Sequence, residues 1–457
     1  MKAPTLAGLP LDADRAKGAA EHAFSLEGAE GVEVVIAGST SGVTRFANSE
    51  IIQNTARDEL RVYVKVSLAD RSATAATNQL DEGHIGRAAE RALAAAKAAP
   101  PDPGWPGLVS PGEAGDPKPQ WRFDERTAET PPSIRASVVA DVLKASRPAS
   151  AAGVYETSAH TYGIFSTTGI ECFDGFSRAV LTCLVDSGSA TGWAETSSYA
   201  AAEVDHLACT SAAMEKAGRG PAEAEAPPGQ YVVVLEPAAV AALVDYLAWS
   251  SFAAKFVIDG ESFLATKAGQ KVAAPSVSVV DDFEHPLSVG IGFDFEGVER
   301  QRIAVIDSGV ATQPATDRRT ARKLGLPVTG HSSGSDEWGP FASNVVLSPG
   351  QKSFDDIVSG VDEGLLVTRF HYVNILDRPT TLLTGMTRDG TFRIRNGEIA
   401  EPVHNLRFTQ SALGALDSVE ALGSDVKAFA PEFGSFGSTV APSTRISGFS
   451  FTSKTSH

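Results

Sequence analysis

"FANSEIIQNTARDELRVYVKVSLADRSATA" (Phe46–Ala75) and "FSTTGIECFDGFSRAVLTCLVDSGSATG" (Phe165–Gly192) run through the same succession of residue types. Each opens on an aromatic residue, passes through small polar residues to an isoleucine and a polar break, and continues as an alternating stretch that ends in Ser-Ala-Thr. Similarity repeated in order marks a duplicated supersecondary unit, and the two-residue alternation of "ELRVYVKVSL" is that of a strand. The pair predicts two related hairpins, each followed by a helix, in one antiparallel sheet.

The flanking segments fit that plan. A loose lead precedes a helix around Leu11 to Phe24, and "GVEVVIAGST" reads as a strand joined to "ELRVYVKVSL" through "VTRFANSEIIQNTARD". "DEGHIGRAAERALAAAKAAP" has the composition of a helix that stops before Pro100 and Pro101. "SIRASVVADVLKAS" predicts another, with Ser133 as its N-cap. Between them "PPDPGWPGLVSPGEAGDPKP" (Pro100–Pro119) is dense in proline and glycine, which suits an extended surface excursion.

"GRGPAEAEAPPGQ" (Gly218–Gln230) marks the boundary of two predicted domains, residues 1–220 and 229–457. Beyond it lie short β-rich runs, among them "YVVVLE", "RIAVIDSGVAT", "LLVTRFHYV" and "TTLLTGMTRDGTFRIRNGEI", with Arg388-Asp389-Gly390 and Asn396-Gly397 as turn signals. The predicted fold class is α+β: an N-terminal α/β domain with an antiparallel sheet and helices, then a β-rich, barrel-like C-terminal domain.

Composition bounds the function. A chain of 457 residues with net charge -17 is ill suited to neutralising phosphates, so no direct nucleic-acid contact is expected. The basic run "DRRTARK" (Asp317–Lys323) reads as a solvated face. Cys172, Cys183 and Cys209 are scattered without CxxC spacing and are expected to be reduced core residues. The opening stretch turns polar before an apolar core is complete, and no run approaches a membrane span. A cytoplasmic protein with no membrane partner is expected.

The C-terminal half carries "FDFEGVERQRIAVIDSGV", "ARKLGLPVTGH", "GLLVT" and "GTFRIRNGEIAEPV" in order, and the N-terminal half carries "TRFANSEI". This series resembles the TldD/PmbA family over roughly the whole chain. The resemblance implies a two-domain fold and a peptide-processing system of two kinds of subunit. In the TldD kind an HExxxH helix and a later cysteine hold zinc. The PmbA or TldE kind lacks them.

"EPAAVAALVDYLAWSSFAAK" (Glu236–Lys255) reads as one amphipathic helix with Pro237 in its first turn. By the resemblance, Asp245 stands at the first histidine, Tyr246 at the glutamate and Ser250 at the second histidine. A zinc hydrolase needs lone-pair donors, an open coordination position and a base. Serine is a poor zinc ligand, and a tyrosine of pKa about 10 is a poor base near neutrality. No cysteine follows Cys209, so the block "APEFGSFGSTVAP", where the family's cysteine would lie, offers only Glu432. The nine histidines include no pair within six residues. Phosphate-loop, dinucleotide and serine-elbow signatures are missing. The pairs Asp281-Asp282 and Asp355-Asp356 read as a strand end and a helix start.

The expected function is therefore that of a non-catalytic, PmbA/TldE-like subunit. It would hold no cofactor itself, with zinc in a TldD-like metalloprotease partner, and unfolded or extended peptide would be its ligand. Arg322 and His331, in the "ARKLGLPVTGH" block, are the peptide-groove candidates. Two alternatives stay open: a metallopeptidase acting alone through a rebuilt site of Asp245, His331 or Glu432, and a protein-binding regulator of the gyrase-modulator type.

Overall fold

The computed structural model describes residues 11–119, 122–222, 224–432 and 436–454. The lead before Leu11 and His457 lie outside the described residues.

Six strands form the N-terminal sheet: β1 (Gly31–Ala47), β2 (Glu50–Leu68), β3 (Arg71–Thr77), β4 (Ser150–Ser166), β5 (Glu171–Asp186) and β6 (Thr191–Ser198). Their spatial order is β3-β2-β1-β4-β5-β6, with every neighbour antiparallel. The repeat is thus a three-stranded meander with a helix before and after it. Ala13–Glu21 and Glu82–Ala98 flank the first copy, Pro132–Ala145 and His206–Ala217 the second.

The two copies meet along β1 and β4, paired from Glu33↔Ser166 to Phe46↔Gly153. This crossing explains the repeated aromatic. Phe46 of the first copy is buried among Val139, Val142, Leu181 and Cys209 of the second, and Phe165 of the second is buried among Val34, Val64, Ile85 and Leu93 of the first. Each copy therefore completes the other's core, and neither buries its own aromatic alone.

The C-terminal domain has two sheets. One runs β10-β9-β8-β11-β18-β17, made of β8 (Val279–Asp281), β9 (Ile303–Asp307), β10 (Val310–Ala311), β11 (Asn344–Leu347), β17 (Lys427–Phe429) and β18 (Ser438–Ala441). The other holds β7 (Gly229–Leu235), β12 (Glu363–Asp377), β13 (Leu382–Arg395), β14 (Glu398–Pro402), β15 (Leu406–Ser411) and β19 (Thr444–Lys454), with β16 (Val419–Leu422) on β19. Because β12 pairs with both β7 and β13, the strands β12, β7, β19, β15 and β13 close into a ring. This is the barrel-like element expected.

Three local expectations are corrected. The Pro100–Pro119 stretch is a packed strap: Val109 and Ala114 are buried in the apolar cluster between the domains, and a short helix spans Pro111–Ala114. The basic run holds the strap and is not simply solvated. Its helix, Arg318–Leu324, starts on an Asp317 capping box, and Arg318, 6% exposed, donates to the Pro106 and Gly107 carbonyls and to Glu113. Arg319 pairs with Asp102 at 2.6 Å. Lastly, Arg388-Asp389-Gly390 lies inside β13, where Asp389 (φ 53°) and Gly390 (φ 131°) disturb the register against β12. Asn396-Gly397 does make the β13–β14 hairpin, with φ 50° and 79°.

Candidate functional site

The helix Pro237–Ser251 lies between the ring and the second sheet, packing on β12, β11, β17 and β18. The amphipathic expectation fails there. Val240, Leu243, Val244, Leu247, Asp245 and Ser250 are all buried, because sheets cover opposite sides of the helix. A polar residue on such a helix must find its partners inside the protein.

Asp245 finds two. Oδ2 accepts the Glu432 backbone N–H at 2.8 Å, and Oδ1 accepts the Thr439 hydroxyl at 3.0 Å. The block expected to carry the late cysteine thus sits directly against the motif helix, although its residues 433–435 lie outside the described residues. Burial pushes the Asp245 carboxyl up to about 6, and the neighbouring Glu432 charge adds to this while the two donors oppose it. Burial also pushes the Tyr246 phenol up to about 12, so it holds its proton at any physiological pH. Ser250 Oγ donates back to the Leu247 carbonyl at 3.1 Å and shares a contact with Ser251 Oγ.

This donor set does not fit a zinc ion. Both Asp245 oxygens are committed to donors within the fold, Tyr246 keeps its proton, and the Ser250 hydroxyl is turned into its own helix. Among the described residues no three His, Cys, Asp or Glu side chains converge as a metal-binding group.

The N-terminal sheet contributes charged groups to the same region. Arg178 on β5 donates to the Gly437 carbonyl, next to β18 and so to Thr439. Glu195 on β6 is pushed up to about 7 by burial, with Arg369 and Arg178 pulling it down and Glu432 pushing it further up. Arg369 on β12 lies 4.7 Å from the Trp193 ring centroid and bonds Asp389 through Nε at 3.0 Å. Sequence reading missed Glu195, Arg178 and Thr439. The available signal was a charged residue at a face-matched strand position, with Thr182 and Glu195 directly paired, but nothing local shows which domain that face meets.

Of the groove candidates, Arg322 is exposed on its helix. His331 is a correction. It is fully buried, with Nδ1 2.9 Å from Thr329 Oγ1 and Nε2 3.3 Å from Asp281 Oδ1. Asp281 Oδ2 accepts the Ser343 and Asn344 N–H groups. Burial would raise the Asp281 carboxyl, but His331, Arg300 and these donors outweigh it and hold the group below its ordinary value. His331 therefore ties the Gly330 loop to β8 and presents no surface to a ligand. Cys172, Cys183 and Cys209 are free and buried, as expected, and burial pushes their thiols up to about 12, 11 and 12.

Comparisons with known proteins agree on kinship. Residues 228–453 match the PmbA/TldA metallopeptidase C-terminal domain. A protein named metalloprotease from Methanothermobacter thermautotrophicus is 30% identical over 218 residues, 47% of each chain. The chain thus spans about half the length of the curated relatives it matches. The crystal structure of TldE from Thermococcus kodakarensis superposes with a TM-score of 0.82 at 19% identity, covering 96% of this chain and 99% of that one. A putative modulator of a DNA gyrase from Thermotoga maritima gives 0.79 at 20% identity, covering 92% and 96%. These two likenesses establish the fold. Among the described residues no helix is long and apolar enough to cross a membrane.

Proposed function

From the membership of this chain in the TldD/PmbA family, carried by its C-terminal domain, we propose that it is the non-catalytic, PmbA/TldE-like subunit of a two-subunit metalloprotease. Its partner would be a TldD-like chain bearing the HExxxH helix and the zinc. This chain would complete the cavity in which unfolded or extended peptide is held, and an extended peptide gains sequence-independent affinity through its backbone hydrogen bonds.

The observation that carries this reading is the state of Asp245. Each oxygen of Asp245 accepts a hydrogen bond, and the two bonds join the helix to the block after β17, which supports a structural role. Tyr246 and Ser250 supply neither a base nor a ligand at the adjoining positions.

The test is purification of the chain from its native cells, with mass spectrometry of stoichiometric partners and metal analysis of each subunit. The expected result is a roughly equimolar HExxxH-bearing partner, zinc that follows the partner, and peptide hydrolysis that needs both. One tightly held metal per copy of this chain, with hydrolysis in the partner's absence, would replace this reading with that of a self-sufficient metallopeptidase.

A further inference from the structure

Where β1, β2 and β4 run past the C-terminal domain, the helix-free face of the N-terminal sheet floors a cavity of about 550 Å³. That is within the span of about 300–1,000 Å³ usual for small-molecule sites. The floor is Ala37 and Ser39 of β1, whose small side chains leave a trough between β2 and β4. Register sets which groups share a row. Ala37 lies between Arg61 on β2 and Tyr162 on β4, and the next row along the strands is Glu59, Ser39 and His160. Arg57 stands one row further, beside Ser41, and its guanidinium reaches back to Glu59. Phe295 and Phe436 of the C-terminal domain close the cavity over Tyr162.

The two sides differ in kind. On β2, Arg57 and Arg61 turn to the same oxygen of Glu59, Arg61 at 3.7 Å, so the two guanidiniums converge beside Ser39 and leave one net positive charge there. A guanidinium carries five N–H donors, and one shared carboxylate leaves most of them for a ligand. On β4, the His160 and Tyr162 side chains make no hydrogen bond among the described residues. Burial, with Arg178, pushes His160 down to about 4, so near neutrality its ring, stacked 4.7 Å from Phe176, carries one N–H and one lone pair. Tyr162 and Phe295, Phe295 and Phe436, and Tyr162 and Phe436 meet edge-on at 4.8, 5.3 and 5.8 Å, which makes an apolar corner beside the two unpaired polar groups. Polar groups set into a protein are normally hydrogen-bonded. The β4 side therefore calls for a flat ring that packs on the aromatic corner and offers both a donor and an acceptor at its edge. Glu156, opposite Val43, lies beyond these rows, and Arg178 and Arg45 supply opposing charge to it.

We propose that this trough binds a nucleoside monophosphate. The phosphate takes charge-assisted hydrogen bonds from Arg57 and Arg61. The base packs against Tyr162, Phe295 and Phe436 and turns its polar edge to His160 and the Tyr162 hydroxyl. The ribose crosses the small residues of β1. Strands β2 and β4 stand two strand spacings apart, about 10 Å, a gap that the ribose bridges and that neither a free base nor a free phosphate spans. The net charge of -17 opposes a long polyanion, whereas one phosphate needs only the local charge of β2. The site is read from the cavity alone and holds whether or not the chain pairs with a metalloprotease.

The test is calorimetric titration of the full chain with the 5′-monophosphates of adenosine, guanosine, cytidine and uridine, with the matching nucleosides, and with ribose 5-phosphate. Saturable one-to-one binding of at least one nucleotide is expected with Kd below about 1 mM, and binding about tenfold weaker for its nucleoside and for ribose 5-phosphate. Arg57→Gln with Arg61→Gln is expected to abolish the preference for nucleotide over nucleoside and to keep the preference for nucleotide over ribose 5-phosphate. His160→Phe keeps a ring on Phe176 but removes both nitrogens, and is expected to narrow the second preference and keep the first. Each preference is a ratio taken within one variant, so partial unfolding does not imitate it. Lack of binding by all four nucleotides at about 10 mM, a nucleoside or ribose 5-phosphate binding as tightly as the nucleotide, or unchanged preferences in the variants would each overturn the proposal.

Discussion

Replacing Asp245 with asparagine separates a buried structural carboxylate from a metal ligand, and its size follows from the site. The Asp245 carboxyl rises from 3.8 to about 6 on folding because burial outweighs the donors from Glu432 and Thr439. A raised carboxyl binds more protons folded than unfolded between those values, so its contribution to stability falls as pH climbs from near 4 through 6. The full effect is about 3 kcal/mol, and the part lost between about pH 4.5 and about pH 7.5 is about 2 kcal/mol. The replacement asparagine would not titrate. Its carbonyl can accept the Glu432 N–H, and its amide can donate to the Thr439 hydroxyl oxygen once that hydroxyl turns. Denaturant unfolding of the native protein and of Asp245→Asn at both pH values should show the variant gaining about 2 kcal/mol relative to the native protein as pH rises. In a purified two-subunit complex, peptide hydrolysis should be nearly unchanged. A stability difference that is flat with pH, or that moves the other way, would refute the burial reasoning. A loss of bound metal and of hydrolysis on this change would refute the structural role.

Other outcomes follow from the packing. Phe46→Ala should cost about 3–5 kcal/mol in chemical unfolding, because the ring, 2% exposed, fills the core of the second repeat copy. Arg318→Ala should cost about 2–4 kcal/mol, since it strips the Pro106 and Gly107 carbonyls and Glu113 of one buried donor. The same change should speed limited proteolysis within residues 100–119. Cys172, Cys183 and Cys209, buried with raised thiols, should resist a disulfide reagent in the native protein and react together on unfolding.

Much of the architecture was legible because it rests on period and punctuation. Alternation and the recurring aromatic placed the two hairpins, and Asn396-Gly397 placed a hairpin because few other dipeptides adopt two successive positive φ values without strain. The site was legible only in part. By family resemblance Asp245 and Glu432 could be set at related positions, and they are hydrogen-bonded neighbours. His331 was misjudged because flanking glycines look alike around an exposed loop and around a buried turn, and its partners Thr329 and Asp281 reveal themselves only once β8 lies beside that loop. The strap was misjudged for a similar reason. Proline and glycine exclude a long helix between Pro100 and Pro119 but do not say whether Val109 and Ala114 meet water or another domain.

Residue order by itself determined the repeated hairpins, the helix and strand periods, and the side-chain chemistry that Asp245, Tyr246 and Ser250 can offer, since each depends on local pattern or side-chain identity. Tertiary structure decided the rest: that the motif helix is covered by two sheets, that the Asp245 oxygens are already taken, that Phe46 and Phe165 exchange cores, and that Glu156, His160 and Tyr162 share a trough with Arg57 and Arg61. The physical reason is that burial and charge pairing depend on distances across the fold, between residues far apart along the chain, whereas helical and strand periods are set by neighbours a few residues away.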